Sequence, residues 1–143
     1  LGEQAHTFQS TSLTEADRPV GSADYAGKMA LVTVWATWCV GGRQEHGFLM
    51  QLARSGAIPI YGINWRDNRE EALRWLEQLG DPYEFSAFDA DGRVGIDWGV
   101  YGAPETFLIS PDGIVLHKHL GPLDAAAWQN DFVPLIEARE PSS

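Results

Sequence analysis

Two short runs of apolar residues, separated by a helical stretch, constrain the fold of this chain more than any other feature. Residues 31–35 and 58–63 are rich in β-branched side chains, and each run has the length of a buried strand. Between them, about residues 39–54 carry apolar side chains at helical spacing, although two glycines weaken the start. Two strands joined by a helix usually pair in parallel, because the helix carries the chain back to the starting edge of the sheet. Such a crossover is right-handed. The sequence therefore predicts a β-α-β unit.

A second helix follows the second strand. Asn68-Arg-Glu-Glu71 has the form of a capping box, with a side-chain cap and a glutamate at the third helical position. It predicts a helix over residues 70–79, which Gly80 ends. A short apolar run near residues 84–88 and a brief helix over residues 91–98 come next. The alternation of strand and helix thus continues to this point.

The last third of the chain predicts a β-hairpin and a covering helix. Strands over residues 106–109 and 114–119 flank a Ser-Pro-Asp-Gly turn. Asp124 caps a final helix over about residues 125–139, in which Pro134 predicts a kink or a restart. A parallel pair followed by an antiparallel hairpin gives an α/β fold with a mixed central β-sheet and helices on both faces.

Length, charge and hydropathy narrow the class of protein. The 143 residues fit a single domain over residues 1–143, with a polar lead-in over residues 1–28 and a core over residues 29–139. Twenty acidic residues against ten basic residues leave a net charge of −10, which argues against a nucleic-acid partner. No apolar run is long enough to span a membrane, so we expect any anchor to lie outside this sequence.

The chain contains one cysteine, Cys39. A single cysteine excludes an internal disulfide and a cysteine-based zinc site. Cys39 lies where the first strand ends and the first helix begins, so unpaired amides and the helix dipole should lower the pKa of its thiol. Arg43, one helical turn later, would add to this effect. The alternative is an inert buried thiol that packs like a small apolar side chain.

Several short motifs occur in an order typical of one known family. They are Gly27-Lys28, Val34-Trp-Ala-Thr-Trp-Cys39, Arg43-Gln-Glu-His46, Tyr61-Gly-Ile-Asn64 followed by Trp65-Arg-Asp67, Gly99-Val-Tyr-Gly-Ala-Pro-Glu-Thr-Phe107, Ile109 and Asp112-Gly-Ile114. Over about residues 24–138 they resemble the cytochrome c maturation branch of membrane-tethered thioredoxin-like proteins, known as CcmG or DsbE. The resemblance implies a thioredoxin fold and a periplasmic thiol:disulfide oxidoreductase, tethered to the inner membrane, that keeps the haem-binding cysteines of apocytochrome c reduced.

The resemblance also implies the site residues. Cys39 is the attacking thiol, and Pro104 is a cis-proline that faces it. A cis bond before Pro104 would expose the backbone of Ala103 for pairing with an extended substrate strand. The substrate-binding residues implied are Trp38, Val40, Gly41, Ala103 and Pro104.

This sequence departs from the family at one decisive position. The family motif is Cys-x-x-Cys, and the chain reads Cys39-Val-Gly-Gly42. Gly42 therefore occupies the place of the resolving cysteine, which in the full cycle attacks the mixed disulfide and releases the substrate. Cys39 can attack but cannot resolve internally, so we predict that the protein traps its partner rather than turning over.

Charged neighbours and partners follow from the same resemblance. Acidic residues near the dithiol tune its acidity and proton transfer in the family, and Glu45 and Glu105 are the candidates here, with Arg43 as a third modulating residue. The partners implied are apocytochrome c or a cytochrome c assembly protein, and a membrane thiol reductant upstream. No cofactor is implied.

Two other functions of the site around Cys39 remain open. Cys39 could work as a monothiol with an external thiol such as glutathione, or the groove around Trp38 and Pro104 could bind unfolded, cysteine-bearing segments without catalysis.

His117 and His119 alternate on a predicted strand and so share a face. No third ligand is evident in the sequence, which favours ordinary strand histidines, and we expect no metal.

Overall fold

A mixed five-stranded sheet forms the centre of the protein in a computed structural model that describes residues 2–39 and 41–139. The strands are β1 (Gln9–Thr11), β2 (Pro19–Gly21), β3 (Ala30–Trp35), β4 (Ile60–Trp65), β5 (Ser86–Asp89), β6 (Glu105–Ile109) and β7 (Val115–Leu120). The helices are α1 (Gly42–Ser55), α2 (Arg69–Leu79), α3 (Arg93–Asp97), α4 (Ala125–Ala127) and α5 (Val133–Glu137), with a 3₁₀ turn over Ser22–Tyr25 and a π turn over Trp128–Phe132. Within the described residues, no helix has the length and apolar character needed to cross a bilayer.

The sheet has the order β5-β4-β3-β6-β7, and β1 and β2 form a separate two-stranded sheet. β3 pairs in parallel with β4, and β4 in parallel with β5, whereas β3–β6 and β6–β7 are antiparallel. The predicted mixed sheet is therefore confirmed. Every residue of β3 and β4 is buried, as expected for parallel strands covered on both faces.

The second strand begins two residues later than predicted. The sequence predicted residues 58–63, but pairing with β3 starts at Ile60, opposite Leu31. Proline has no amide hydrogen to donate to a strand ladder, and Pro59 contributes only its carbonyl oxygen, to the Leu31 amide. At the other end, β4 extends to Trp65 because Asn64 and Trp65 pair with β5.

α1 also begins later than predicted, at Gly42 rather than at Cys39. The N-cap residue, Gly41, has φ of 81°, in the left-handed region that an α-helix does not use. The helical turn therefore cannot include the residues before it. Cys39 lies ahead of the helix in the connecting loop.

Different sets of elements cover the two faces of the sheet. α1, α2 and the C-terminal helical segment pack on one face, where their buried side chains include Leu49, Leu76 and Phe132. On the other face, Val20 and Tyr25 of the lead-in pack with the strands and with the segment around α3. The lead-in thus contributes to the core of the protein.

The helix caps and the hairpin turn that the sequence predicted are present in the structure. Asn68 accepts a hydrogen bond from the Glu71 amide over 3.0 Å at the start of α2. Asp124 accepts from the Ala127 amide over 2.8 Å at the start of α4. The hairpin turn is closed by a bond from the Gly113 amide to the Ser110 carbonyl oxygen over 2.9 Å.

The predicted final helix is interrupted before Pro134, as its position suggested. α4 leads into the π turn, in which the Val133 amide donates to the Trp128 carbonyl oxygen, five residues earlier. Pro134 has no amide hydrogen for a regular helical bond, so the backbone widens by one residue before α5 starts.

Candidate active site

Cys39 lies in a short loop at the carboxyl end of β3. Its amide donates to the Ala36 carbonyl oxygen over 3.2 Å, and its own carbonyl oxygen accepts from the Gly42 amide over 3.4 Å. The side chain is half-buried and borders a small cavity behind the loop. The other residues that line this cavity are Trp35, Ala36, Gly42, Glu45, His46, Trp75, Tyr83 and Pro104. Distant parts of the chain therefore meet around the one thiol.

The surroundings of Cys39 raise the pKa of its thiol, so the predicted lowering is wrong. Burial is the main cause, opposed by a backbone hydrogen bond with Ala36 and aided by the charges of Glu45 and Asp67, and together they raise this pKa to about 11. Because α1 starts at Gly42, the thiol lies outside the first turn, where the helix dipole acts most strongly.

Arg43 does not supply the expected stabilisation of a thiolate. Its guanidinium lies over the ring of Trp75, 5.4 Å from the ring centroid. It is not among the groups that shift the pKa of Cys39. The structure thus gives Arg43 a cation–π contact at the edge of the site instead.

Glu45 is the acidic residue that the structure places beside the thiol. It lies in the first turn of α1 with 3% of its surface exposed and lines the same cavity as Cys39. Its Oε2 accepts a hydrogen bond from the Leu123 amide over 2.7 Å. Burial raises the pKa of Glu45 to about 7, although the bond from Leu123 opposes the increase. Glu45 can therefore gain or lose a proton near neutral pH.

Glu105, the second predicted acid, has different partners. It is buried at the start of β6, and its Oε1 forms an ion pair with Lys118 Nζ at 3.1 Å. Its Oε2 accepts from the Tyr101 amide over 3.4 Å. Glu105 is not among the residues that line the cavity behind Cys39. Of the two acids, only Glu45 borders the thiol cavity.

The peptide bond between Ala103 and Pro104 is cis, as predicted. Pro104 is buried and lines the cavity together with Cys39. Ala103 is half-buried, and its backbone makes no hydrogen bond with any of the described residues. Free backbone therefore lies next to a residue that lines the same cavity as the thiol.

The rim of the site is formed by the loop around Cys39. Trp38 is 51% exposed, and its Nε1 donates to the Arg66 carbonyl oxygen over 3.1 Å. A Cβ on Gly41 would lie 2.8 Å from Pro122 Cγ, so this glycine permits a close approach as well as a left-handed backbone. Val40 lies outside the described residues, and its contact with substrate stays a prediction.

Known proteins resemble this chain over most of its length. The Redoxin family model matches residues 1–131. The chain belongs to the Redoxin family. Thiol:disulfide interchange protein DsbE of Allochromatium vinosum is 50% identical to this redoxin over 136 residues, which cover 95% of this chain and 75% of that protein. DsbE of Pseudomonas aeruginosa is 44% identical over 137 residues, covering 96% of this chain and 76% of that protein.

Solved structures agree with the fold of this redoxin. A structure from Chlorobium tepidum assigned to DsbE has a TM-score of 0.78 and 27% identity, covering 96% of this chain and 95% of that chain. A secreted thiol-disulfide isomerase from Corynebacterium glutamicum has a TM-score of 0.81 at 21% identity, covering 94% and 86%, which supports the fold alone. The thioredoxin-like fold is confirmed, and this redoxin is a thiol:disulfide oxidoreductase.

Asp67 is a positioning residue of this redoxin that sequence reasoning missed. Its carboxylate accepts bonds from the Thr37 amide over 2.8 Å and from the Thr37 hydroxyl over 2.7 Å. It also accepts from Asn64 Nδ2 over 3.1 Å and from the Asn68 amide over 2.9 Å. Asp67 therefore ties the loop before Cys39 to the end of β4. The motif Trp65-Arg-Asp67 was the available signal, but it gave no role.

His46 is a second residue whose role emerges only in the structure. Its Nε2 lies 2.7 Å from the Gly80 carbonyl oxygen, and its Nδ1 accepts from Trp75 Nε1 over 3.3 Å. These two bonds together require the neutral tautomer with hydrogen on Nε2. Burial lowers the pKa of His46, which favours the same neutral form. The wall of the cavity is thereby held in one arrangement.

Proposed function

We propose that this redoxin is a thiol:disulfide oxidoreductase of cytochrome c biogenesis that attacks its partner through Cys39 and retains it as a mixed disulfide. A Cβ built on Gly42 lies 3.7 Å from the Cβ of Cys39. Disulfides need a Cβ–Cβ distance of about 3.5–4.5 Å. This distance carries the proposal, because it is what a resolving cysteine at position 42 would require.

The proposed step at Cys39 is an exchange of one disulfide for another. The Cys39 thiolate bonds to one sulfur of a partner disulfide, the partner's S–S bond breaks, and its other sulfur leaves as a thiolate and takes up a proton. The number of disulfide bonds is unchanged, so the step needs no external electrons. Release needs a second thiolate, which Gly42 cannot supply, and the mixed disulfide persists until an outside thiol attacks it.

Glu45 is the group we propose to receive the proton from the Cys39 thiol. A pKa of about 7 makes a carboxylate an effective acceptor near neutral pH. Burial is the main reason that the pKa of Cys39 is raised, and a protonated Glu45 no longer adds its negative charge to that effect. Proton transfer would therefore favour the thiolate that attacks the partner.

The partner segment is proposed to lie in an extended form along the cis-proline loop. The free backbone of Ala103 can pair with such a segment as an added strand. Trp38, next to Cys39 in the chain, offers an exposed ring for apolar contact. A Cys-x-x-Cys-His segment of apocytochrome c, or an assembly protein that carries a disulfide, has the chemistry required.

The location and the upstream partner belong to the same proposal. We place the protein in the periplasm, tethered to the inner membrane. A membrane thiol reductant would renew the Cys39 thiol. The relatives named thiol:disulfide interchange protein support exchange with protein partners in general.

The first test restores a second thiol. Gly42→Cys should form an internal disulfide with Cys39 on mild oxidation, seen as a mass loss of about two hydrogens that dithiothreitol reverses. Gly47→Cys is the matched control, since a side chain there has nothing within 4 Å and should remain a free thiol. A Gly42→Cys protein with two free thiols after oxidation would contradict the proposed site.

The second test asks whether the protein traps a partner. An oxidised peptide with a Cys-x-x-Cys-His sequence should form a covalent adduct with the protein, visible by mass spectrometry, and Cys39→Ser should form none. Turnover on addition of glutathione would instead favour the monothiol mechanism. Equal peptide affinity with and without Cys39, and no adduct, would favour a non-catalytic binding module.

A further inference from the structure

Two histidines and an aspartate meet on the side of the sheet covered by the C-terminal helical segment. His117 and His119 alternate along β7 and share one face, and Asp131 lies in the π turn opposite them. One ligand atom from each residue lies within 4.8 Å of the other two. Asp131 is a candidate third ligand that the sequence did not reveal, because it comes close to the histidines only in the folded protein.

Packing holds the cluster together. The ring of Phe132, which is completely buried, lies 4.9 Å from the His117 ring and 6.3 Å from the His119 ring, centroid to centroid. Phe132 follows Asp131 directly, so its buried ring holds the backbone of Asp131 opposite the two histidines. His117 and His119 are half-buried and Asp131 is exposed, which leaves the cluster open to ions from solvent.

A neighbouring carbonyl orients one of the imidazoles. His119 Nε2 lies 3.0 Å from the Pro122 carbonyl oxygen. When Nε2 donates its hydrogen to that oxygen, Nδ1 carries the free lone pair. Metal-binding histidines commonly use one ring nitrogen for the metal and the other to donate to a carbonyl or carboxylate.

We propose that His117, His119 and Asp131 bind a divalent transition-metal ion, for which Zn²⁺ is the probe. Two imidazole nitrogens and one carboxylate oxygen form a three-ligand set that leaves a position for water. Imidazole ligands favour transition metals over Mg²⁺ and Ca²⁺, which prefer oxygen alone. None of the three residues lines the cavity around Cys39, so this proposal does not depend on the redox function.

The test measures Zn²⁺ binding by titration calorimetry in the Cys39→Ser protein, which removes the thiol as a competing ligand. We expect one ion per chain and a rise in Tm with added Zn²⁺, since a ligand that binds only the folded state stabilises it. His117→Ala and His119→Ala should each weaken binding by about 100-fold or more, because losing a ligand costs at least as much as losing one of the outer partners that orient a ligand.

Two further variants make the outcome decisive. Asp131→Asn changes an exposed residue and should keep the fold while weakening Zn²⁺ binding by about 10-fold or more. His6→Ala, an exposed histidine in the lead-in, should leave binding unchanged. The absence of Zn²⁺ binding to Cys39→Ser, or equal affinity in Asp131→Asn and the parent protein, would overturn the proposal.

Discussion

At the scale of single residues, the carboxyl group of Glu45 combines burial with a near-neutral pKa. Its pKa rises from 4.5 to about 7, so the folded protein holds this proton more tightly than the unfolded chain does. The stability gained from protonated Glu45 is fully present below about pH 4.5 and is lost as the pH rises through about 7. Folding and proton binding are thus coupled at one side chain.

This coupling predicts that the stability of the wild type depends on pH more strongly than the stability of Glu45→Gln does. A glutamine can still accept from the Leu123 amide but does not titrate, so its stability should depend less on pH between 5 and 8. As the pH rises over that range, the free energy of unfolding of the wild type should fall by up to about 3 kcal/mol relative to that of Glu45→Gln. Urea unfolding at each pH measures this difference, with Glu77→Gln on the exposed face of α2 as control. Parallel pH profiles for wild type and Glu45→Gln would contradict the assignment.

Cys39 is predicted to be a slow nucleophile in the resting protein. With a pKa of about 11, a small fraction of the thiol is ionised at pH 8. A more basic thiolate reacts faster, which offsets part of this deficit, so alkylation by iodoacetamide should be on the order of 10-fold slower than for free cysteine. A rate equal to or above that of free cysteine would show that the thiol pKa is not raised.

At the scale of elements, the start of α1 depends on two glycines with different requirements. Gly41 needs a left-handed backbone and lies against Pro122, whereas a Cβ on Gly42 would make ordinary contacts at 3.7 Å with Cys39 and Trp75. A side chain at position 41 would therefore test backbone strain, whereas a side chain at position 42 would test helix propensity.

Alanine at each position should therefore have opposite effects. Gly41→Ala should destabilise the protein by about 1–3 kcal/mol through strain and contact with Pro122. Gly42→Ala should be neutral or stabilise it by up to about 1 kcal/mol, because alanine favours a helix more than glycine does. Chemical denaturation of both variants measures the two changes. Equal destabilisation would mean that α1 does not start between these residues.

At the scale of the whole molecule, the lead-in is part of the core that it covers. Tyr25 is 4% exposed and packs against Tyr61 with ring centroids 5.0 Å apart. We therefore propose that residues 1–28 and the sheet unfold as one domain. The two-stranded sheet of β1 and β2 would then depend on the central sheet for its stability.

Tyr25→Ala tests whether the lead-in and the sheet unfold together. Loss of a buried aromatic ring should cost about 3–5 kcal/mol in a single cooperative transition. Tyr101→Ala, at a residue that is 78% exposed, should change stability by less than about 0.5 kcal/mol. A separate early transition in Tyr25→Ala, followed by normal unfolding of the sheet, would instead make the lead-in an independent unit.

Features set by local sequence were predictable, and features set by tertiary contact were not. The cap at Asn68 and the apolar run of β3 act through neighbouring residues, and both were predicted closely. The pKa of Cys39 depends on burial, and its direction was predicted wrongly because burial is a property of the assembled fold. The approach of Asp131 to His117 is likewise a property of the assembled fold, because the two residues lie on different elements. The cis bond before Pro104 was predictable only from the family motif.

The hydrogen bonds of Asp67 limit which side chains can replace it. The carboxylate serves four donors: the Thr37 amide, the Thr37 hydroxyl, Asn64 Nδ2 and the Asn68 amide. Asparagine has nearly the same shape, but its NH₂ group would face donors where Asp67 presents a second acceptor oxygen. Substitution tables that score size and polarity would rate this exchange as mild. For protein design on this scaffold, acceptor capacity at position 67 is the property to preserve.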